Sequence, residues 1–100
     1  MLHWRSLLFV PATAEKSVAR AHMRGADVII LDLEDSIPPP AKDAARKALP
    51  GAAKIAGQGG ADIFVRINRA LEMSIPDIAA AVMPEVSVLM LPKLMGPEHV

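Results

Sequence analysis

The sequence contains no cysteine, and this absence removes several kinds of chemistry. Disulfide bonds, thiolate metal sites and a cysteine nucleophile are all excluded. The redox compartment is left open by this criterion, with a cytoplasmic location as the default expectation.

Charge of one sign, aromatic side chains and long apolar runs are also scarce. Eleven basic and eleven acidic residues give a formal net charge of zero, and aromatic residues make up 3% of the chain. Without a basic block or aromatic side chains that could stack on bases, nucleic-acid binding is not supported. The apolar run at residues 7–10 is soon followed by Glu15 and Lys16, so it is too short for a signal peptide or a membrane span. It predicts a strand instead.

Apolar residues are nevertheless plentiful enough for a folded domain. The 100 residues are 52% hydrophobic, with a mean hydropathy of +0.31. This composition predicts one small domain with a well-buried core and excludes a disordered chain.

The most informative stretch is residues 28–35, an apolar run that ends in three carboxylates. Its length and flanks predict a buried parallel strand, and alternation places Asp32 and Glu34 on one face and Asp35 on the other. Such paired acids could accept hydrogen bonds from an arginine, hold a divalent cation through water, or raise one another's pKa. They could equally cap the next helix or pair with its lysines. From these residues alone, a functional site and a purely structural role for the three acids are equally supported.

Strand and helix signals alternate four times along the chain. Strands are predicted to start near residues 5, 27, 62 and 86 and to end near residues 10, 35, 68 and 91. This spacing suits strand-plus-crossover units and predicts an α/β fold with a parallel sheet. Helices are predicted at residues 14–24, from 41 with a break at Pro50–Gly51 and a further turn at 52–56, at 74–83, and from about 96.

Local residues suggest where these helices begin and end. Thr13 is placed to cap the first helix and Gly25 to end it. Ser74 and Asp77 form a capping-box pattern for the third helix. The second helix is predicted to present its charged residues to solvent, namely Lys42, Asp43, Arg46 and Lys47.

Polar side chains follow the apolar body of three successive strands. The acids of the second strand, Arg66 and Asn68 of the third, and Lys93 after the fourth would meet at the carboxyl ends of the sheet, where ligands bind in parallel α/β proteins. Arg66 and Asn68 are two residues apart, so alternation predicts that they project together as a cradle for a small carboxylate or acyl group. Each residue alone also has a structural explanation, as a neutralising charge, an Asx turn or a solvated strand end. Their occurrence on three strands favours a site, although no catalytic residue stands out.

Taken together, four segments resemble the HpcH/HpaI aldolase and citrate lyase family, in particular its citrate lyase β-subunit-like branch. They are Arg5–Pro11, Gly25–Asp35 with Lys42 and Ala45–Arg46 behind it, Val65–Asn68, and Leu91–Lys93. They occur in the family's order and cover nearly the whole chain.

This resemblance implies a (β/α)8 barrel enzyme that makes or breaks a carbon–carbon bond in a 2-hydroxy acid or its coenzyme A thioester. Mg²⁺ would polarise an oxo-acid such as oxaloacetate, glyoxylate or pyruvate and stabilise an enolate. The resemblance also implies that Arg66 binds the substrate carboxylate, with the acids of the second strand nearby. It further implies that Phe9, Pro11 and Lys16 help to hold coenzyme A, and that the full-length protein is a homo-oligomer.

The sequence departs from the family pattern in two ways. Residues 12–14 read Ala-Thr-Ala where the family usually has a glycine and a basic, proline-containing loop, which weakens the expectation of coenzyme A binding. The family's Glu and Asp ligands for Mg²⁺ lie on strands after the fourth, so they are expected beyond Val100 and no metal ligand is assigned in this chain.

A complete eight-stranded barrel needs roughly 200 residues or more, so we interpret these residues as the first half of one, a single partial domain. The chain alone is then expected to be inactive and to supply the substrate-binding half of a lyase. The alternative is a non-catalytic half-barrel that serves as a binding or assembly subunit.

Overall fold

The computed structural model describes residues 5–91, which form one four-stranded sheet with three α-helices. All neighbouring strands are parallel, in the order β1-β2-β3-β4. The strands are β1 Leu7–Pro11, β2 Val28–Asp32, β3 Asp62–Arg66 and β4 Val86–Met90. The helices are α1 Glu15–Ala21, α2 Lys42–Ala56 and α3 Leu71–Ala81, with short 3₁₀ turns at Pro39–Ala41 and Gly57–Gly59. The predicted parallel α/β fold is confirmed, in an arrangement consistent with part of a (β/α)8 barrel.

Alternation along the strands divides the apolar side chains between two clusters. The larger cluster lies between one face of the sheet and the helices, and it joins residues such as Ile29, Leu31 and Val65 to Leu49 of α2. The smaller cluster lies on the opposite face and contains Val28, Ile30 and Phe64. Because β2 is buried at every position, it has the continuous apolar sequence expected of a central parallel strand.

The same alternation places the charged residues at the strand ends. Asp32 follows Ile30 on the face opposite the helices, and Arg66 follows Phe64 in the same way. Asp32 and Arg66 are also direct partners in the β2–β3 register. Charged side chains of neighbouring strands therefore end side by side at the carboxyl edge of the sheet.

The ends of the first helix differ from the prediction. Ala14, not Thr13, is the N-cap of α1, and no side chain caps it. The helix ends at Ala21, before the predicted residue 24. Gly25 has φ +75°, so its left-handed conformation serves the turn into β2 and does not end the helix itself.

The predicted break at Pro50 is wrong, because α2 runs without interruption from Lys42 to Ala56. Proline removes one backbone N–H from a helix interior, at a cost of about 3 kcal/mol. Here the helix is retained because its other face, including Leu49 and Ala53, is buried against the sheet.

The predicted capping box of α3 is also wrong. The helix starts at Leu71, with Ala70 as its N-cap, so Ser74 and Asp77 lie inside it. The Ser74 hydroxyl donates to the Leu71 carbonyl, and Asp77 is fully buried. Lys93 and the predicted fourth helix lie outside the described residues.

Candidate functional site

The candidate site is centred on Arg66, the last residue of β3. Its Nε lies 2.7 Å from Oδ1 of Asp32 and 3.6 Å from Oε1 of Glu34. The guanidinium carbon also lies 4.8 Å from the centre of the Phe9 ring on β1, a cation–π distance. The cluster thus draws on β1, β2 and β3. The predicted approach of Arg66 to the acids after the second strand is observed, whereas Phe9 of β1 was not predicted to join it and Lys93 lies outside the described residues.

Asp32 binds the arginine and also shapes the loop that follows β2, residues 33–38. Its Oδ1 accepts from the backbone N–H of Glu34 at 2.9 Å, and its Oδ2 accepts from the backbone N–H and hydroxyl of Ser36 at 2.7 and 2.6 Å. The residue is 1% exposed. Burial alone would raise the pKa of Asp32, but the hydrogen bonds from Arg66, Ser36 and Glu34 outweigh it and hold the pKa well below its usual range. Asp32 is therefore a buried anchor that stays charged at neutral pH.

The electrostatics keep Arg66 charged as well. Its hydrogen bond to Asp32 raises the pKa of Arg66, burial opposes this, and the charges of Asp32, Glu34 and Asp35 add to the increase. The Arg66 side chain is 22% exposed. Among residues 5–91, both carboxylates meet the guanidinium at Nε, and its two Nη groups make no hydrogen bond. The two Nη groups together can form a two-pronged bond to a carboxylate.

The other two acids, Glu34 and Asp35, differ in their distance from Arg66. The Glu34 side chain is 28% exposed and lies beside the guanidinium. Asp35 is exposed in the same loop and influences Arg66 only through its charge. Of the three predicted acids, Glu34 is the one that is both close to Arg66 and open to solvent.

Asn68 belongs to a second cluster, so the prediction that it projects beside Arg66 is wrong. The strand ends at Arg66, and the alternation of faces ends with it. The Asn68 amide donates to the Leu33 carbonyl at 2.8 Å and to Oδ2 of Asp77 at 2.6 Å. Asp77 also accepts from the Asn68 backbone N–H and from Nε of Arg46, both at 2.6 Å. This buried cluster ties β3, α2 and α3 together.

Lys42 and Arg46 were predicted to face solvent, and both instead bind buried groups. The Lys42 ammonium donates to the backbone carbonyls of Leu33 and Glu34 at 3.0 and 2.6 Å. Arg46 joins the buried Asp77 to the exposed Asp43. A lysine in the first turn of a helix, where a cation is unfavourable, was the available signal in the sequence. Asp77 had no such signal, because its partners lie 9 and 31 residues away.

The residues expected to hold coenzyme A lie in different surroundings. Phe9 is 48% exposed, with its ring against Arg66, and Pro11 is the half-buried end of β1. Lys16 is exposed on α1, where it lines a groove between α1 and α2 together with Ala52 and Ile55.

The described residues do not form a metal site by themselves. No group of three or more His, Asp or Glu side chains within residues 5–91 is arranged to hold a metal ion. Asp32 is already satisfied by four hydrogen bonds, and Glu34 faces a guanidinium. In the same part of the chain, no helix has the length and apolar character needed to cross a bilayer.

This geometry defines a parallel β/α domain with an arginine-centred polar cluster at the carboxyl ends of its strands. The chain belongs to the HpcH/HpaI aldolase/citrate lyase family, which it matches over residues 5–100.

Relatives within this family are moderately similar. The citrate lyase subunit beta-like protein of Deinococcus radiodurans is 35% identical, over 94% of this chain and 35% of the relative. The malyl-CoA/beta-methylmalyl-CoA/citramalyl-CoA lyase of Chloroflexus aurantiacus is 37% identical, over 93% of this chain and 28% of the relative. A (3S)-malyl-CoA thioesterase of Cereibacter sphaeroides is 33% identical, over 91% of this chain and 32% of the relative. The chain thus spans about a third of the length of these curated relatives.

Proposed function

We propose that the full-length protein is a carbon–carbon lyase acting on a 2-hydroxy acid or its coenzyme A thioester, and that these residues bind the substrate's carboxylate. The observation behind this proposal is the setting of Arg66. Its guanidinium is held at Nε by Asp32 and supported by the Phe9 ring, while its Nη groups make no hydrogen bond within residues 5–91. A guanidinium fixed in this way is oriented before the substrate arrives, which lowers the entropy cost of binding.

The charges around Arg66 indicate that substrate binding needs a further cation. Arg66 has one positive charge beside the two negative charges of Asp32 and Glu34. An anionic oxo-acid would therefore approach a cluster with a net negative charge, which disfavours binding unless a further cation is present. We propose that Mg²⁺ is that cation in the full-length protein, on ligands outside residues 5–91. When bound, it would polarise the oxo group of the substrate.

The roles of the remaining predicted residues follow from their positions. Glu34, and more weakly Asp35, would contribute negative charge beside the substrate's carboxylate. Asp32 would hold Arg66 in place and Asn68 would hold loop 33–38, without contact to the substrate. Phe9 and Pro11 would help to hold the coenzyme A portion, with the Phe9 ring also supporting Arg66. Lys16 would contact an acyl-CoA. The full-length protein would be a cytoplasmic homo-oligomer.

The direct test uses the full-length protein, MgCl2 and (3S)-malyl-CoA as the probe. Cleavage of the carbon–carbon bond gives acetyl-CoA and glyoxylate, whereas hydrolysis of the thioester gives malate and free coenzyme A thiol. Glyoxylate formation without thiol release supports a lyase. Thiol release without glyoxylate would identify a thioesterase instead, the activity named for the Cereibacter relatives. If the folded protein consumes neither the thioesters malyl-CoA and citramalyl-CoA nor the free acids malate, citramalate and citrate, the lyase proposal fails in favour of the non-catalytic alternative.

The role of Arg66 is tested by Arg66→Lys and Arg66→Ala, with Arg69→Ala as the matched control. Arg69 is exposed three residues further along the chain from Arg66. Replacing Arg66 removes a two-pronged, charge-assisted contact worth roughly 1.5–3 kcal/mol, so we expect glyoxylate to bind at least about tenfold more weakly. Binding by the Arg69 variant should be unchanged. Unaltered glyoxylate affinity in both Arg66 variants would reject the assignment.

A further inference from the structure

Lys42 occupies an unusual place for a cation. It is the first residue of α2, where the positive end of the helix dipole disfavours a positive charge. Its ammonium is directed to the Glu34 and Leu33 carbonyls at 2.6 and 3.0 Å. A residue that violates a local preference needs a compensating interaction, and these two short hydrogen bonds supply it.

The backbone around Glu34 is consequently held from both sides. Its N–H donates to Oδ1 of Asp32 at 2.9 Å, and its carbonyl accepts from Lys42. The preceding carbonyl, that of Leu33, accepts from Lys42 and also from the Asn68 amide. The Cα of Glu34 is thereby fixed relative to β2, β3 and α2. Its side chain leaves this anchored backbone to lie 3.6 Å from Nε of Arg66.

We propose that Lys42 is a positioning residue, which acts through Glu34 on the guanidinium of Arg66. It does not touch the substrate. By holding the Glu34 backbone, it sets where the glutamate carboxylate meets Arg66 and thus how the guanidinium is oriented toward a bound carboxylate. This inference rests on the proposed function, because it assumes that Arg66 binds the acid.

Loss of the ammonium has a specific expected effect. Two carbonyls lose a charged donor. The Glu34 N–H keeps its bond to Asp32 and the Glu34 carbonyl keeps the longer bond from the Ile37 N–H at 3.2 Å, but the tie from Glu34 to α2 is lost and its side chain is held less firmly. Arg66 then retains Asp32 as its one fixed acidic partner. A misoriented guanidinium binds the acid less well in both the ground and transition states, so KM should rise while kcat changes little. A purely structural role would instead lower the melting temperature and leave KM of the folded protein unchanged.

The test compares Lys42→Met with Lys42→Arg and with the control Lys47→Met in the full-length protein. Lys47 is exposed on the same helix. For Lys42→Met, KM and the calorimetric Kd for glyoxylate should both rise about tenfold, the lower end of the effects of residues that orient a ligating group. We expect kcat to stay within about twofold. Lys42→Arg, which keeps a charged donor, should recover most of this loss. The Lys47 variant should match the wild type.

A double-mutant cycle with Glu34→Gln tests whether Lys42 affects glyoxylate binding through Glu34. If Lys42 acts through Glu34, the effects of Lys42→Met and Glu34→Gln on Kd should not add. Additive effects would reject that route. If Lys42→Met does not fold, Lys42→Ala, which also removes the donor and suits a helix, replaces it in every comparison.

The controls separate this inference from the proposed function. A normal glyoxylate Kd in Arg66→Ala would overturn the carboxylate-binding role proposed for Arg66. Weak binding by Arg66→Ala together with an unchanged Kd in folded Lys42→Met would overturn the positioning role alone.

Discussion

The guanidinium of Arg66 and the carboxylate of Asp32 are joined at 2.7 Å on two strands whose register already makes them neighbours. The backbone pairing and the side-chain ion pair therefore support the same alignment of β2 and β3. Since Asp32 is 1% exposed, the pair is shielded from the screening that weakens surface salt bridges.

Replacing Asp32 with asparagine should destabilise the protein strongly. The substitution removes the negative charge that pairs with Arg66 and weakens the bonds to the loop. Breaking one partner of a buried pair costs roughly 3 kcal/mol of the free energy of unfolding. Urea denaturation would measure this, with Asp35→Asn as the control. Asp35 is exposed in the same loop, and its variant should remain within about 0.5 kcal/mol of the wild type.

The stabilisation from Asp32 should depend on pH in a defined direction. The folded-state pKa of Asp32 lies below its value in the unfolded chain, so its contribution is fully present above the unfolded pKa of about 4. It is lost as the pH falls from there toward the folded-state pKa. The difference in free energy of unfolding between wild type and Asp32→Asn should therefore be constant at pH 6–8 and shrink below about pH 4. A difference that grew with acidification would contradict this assignment.

Asp77 should matter far more to stability than Ser74, although both belonged to the predicted capping box. Asp77 is fully buried and accepts three hydrogen bonds at 2.6 Å from Arg46 and Asn68. Asp77→Ala leaves these donors without their acceptor and should cost roughly 3–5 kcal/mol. Ser74→Ala should cost less than about 0.5 kcal/mol, because its hydroxyl makes one long bond of 3.3 Å. Equal melting temperatures for the two variants would contradict the structure.

Two glycines should respond to alanine in opposite ways. Gly51 lies inside α2, is exposed, and has open space around the position of a Cβ. Gly51→Ala should therefore stabilise the protein by roughly 0.5–1 kcal/mol. Gly60 also has open space, but its φ of +94° strains any larger residue, so Gly60→Ala should destabilise by roughly 1 kcal/mol or more. Thermal unfolding of both variants under the same conditions measures the contrast.

The strand pattern was predictable because it depends on features that the sequence displays directly. Apolar runs separated by crossover-sized segments predicted the parallel sheet, and the observed starts at Leu7, Val28, Asp62 and Val86 lie close to the predicted ones. The meeting of Arg66 with the acids of β2 followed from the convergence of parallel strands at one edge. No knowledge of side-chain contacts was needed for these steps.

The remaining features depended on tertiary contacts that local patterns do not contain. Pro50 interrupts a helix in isolation, but burial of the opposite helix face retains α2. Ser74 resembles an N-cap, yet α3 begins one turn earlier. Asn68 was assigned to the wrong side because the alternation was extended past Arg66, the end of the strand. Its actual partner, Asp77, lies on a helix whose docking the sequence does not show.

The consecutive order of the four strands has a consequence for how the protein is made. Each strand pairs with the one before it in the chain, and the side-chain hydrogen bonds within residues 5–91 join positions at most 36 residues apart. Short separations keep the entropy of loop closure small and favour rapid folding. On a ribosome, the pairing of β1 with β2 could form before β4 is synthesised, and the Arg66 cluster could close once β3 has emerged. The strand order thus allows the sheet to assemble in the order in which its strands are synthesised.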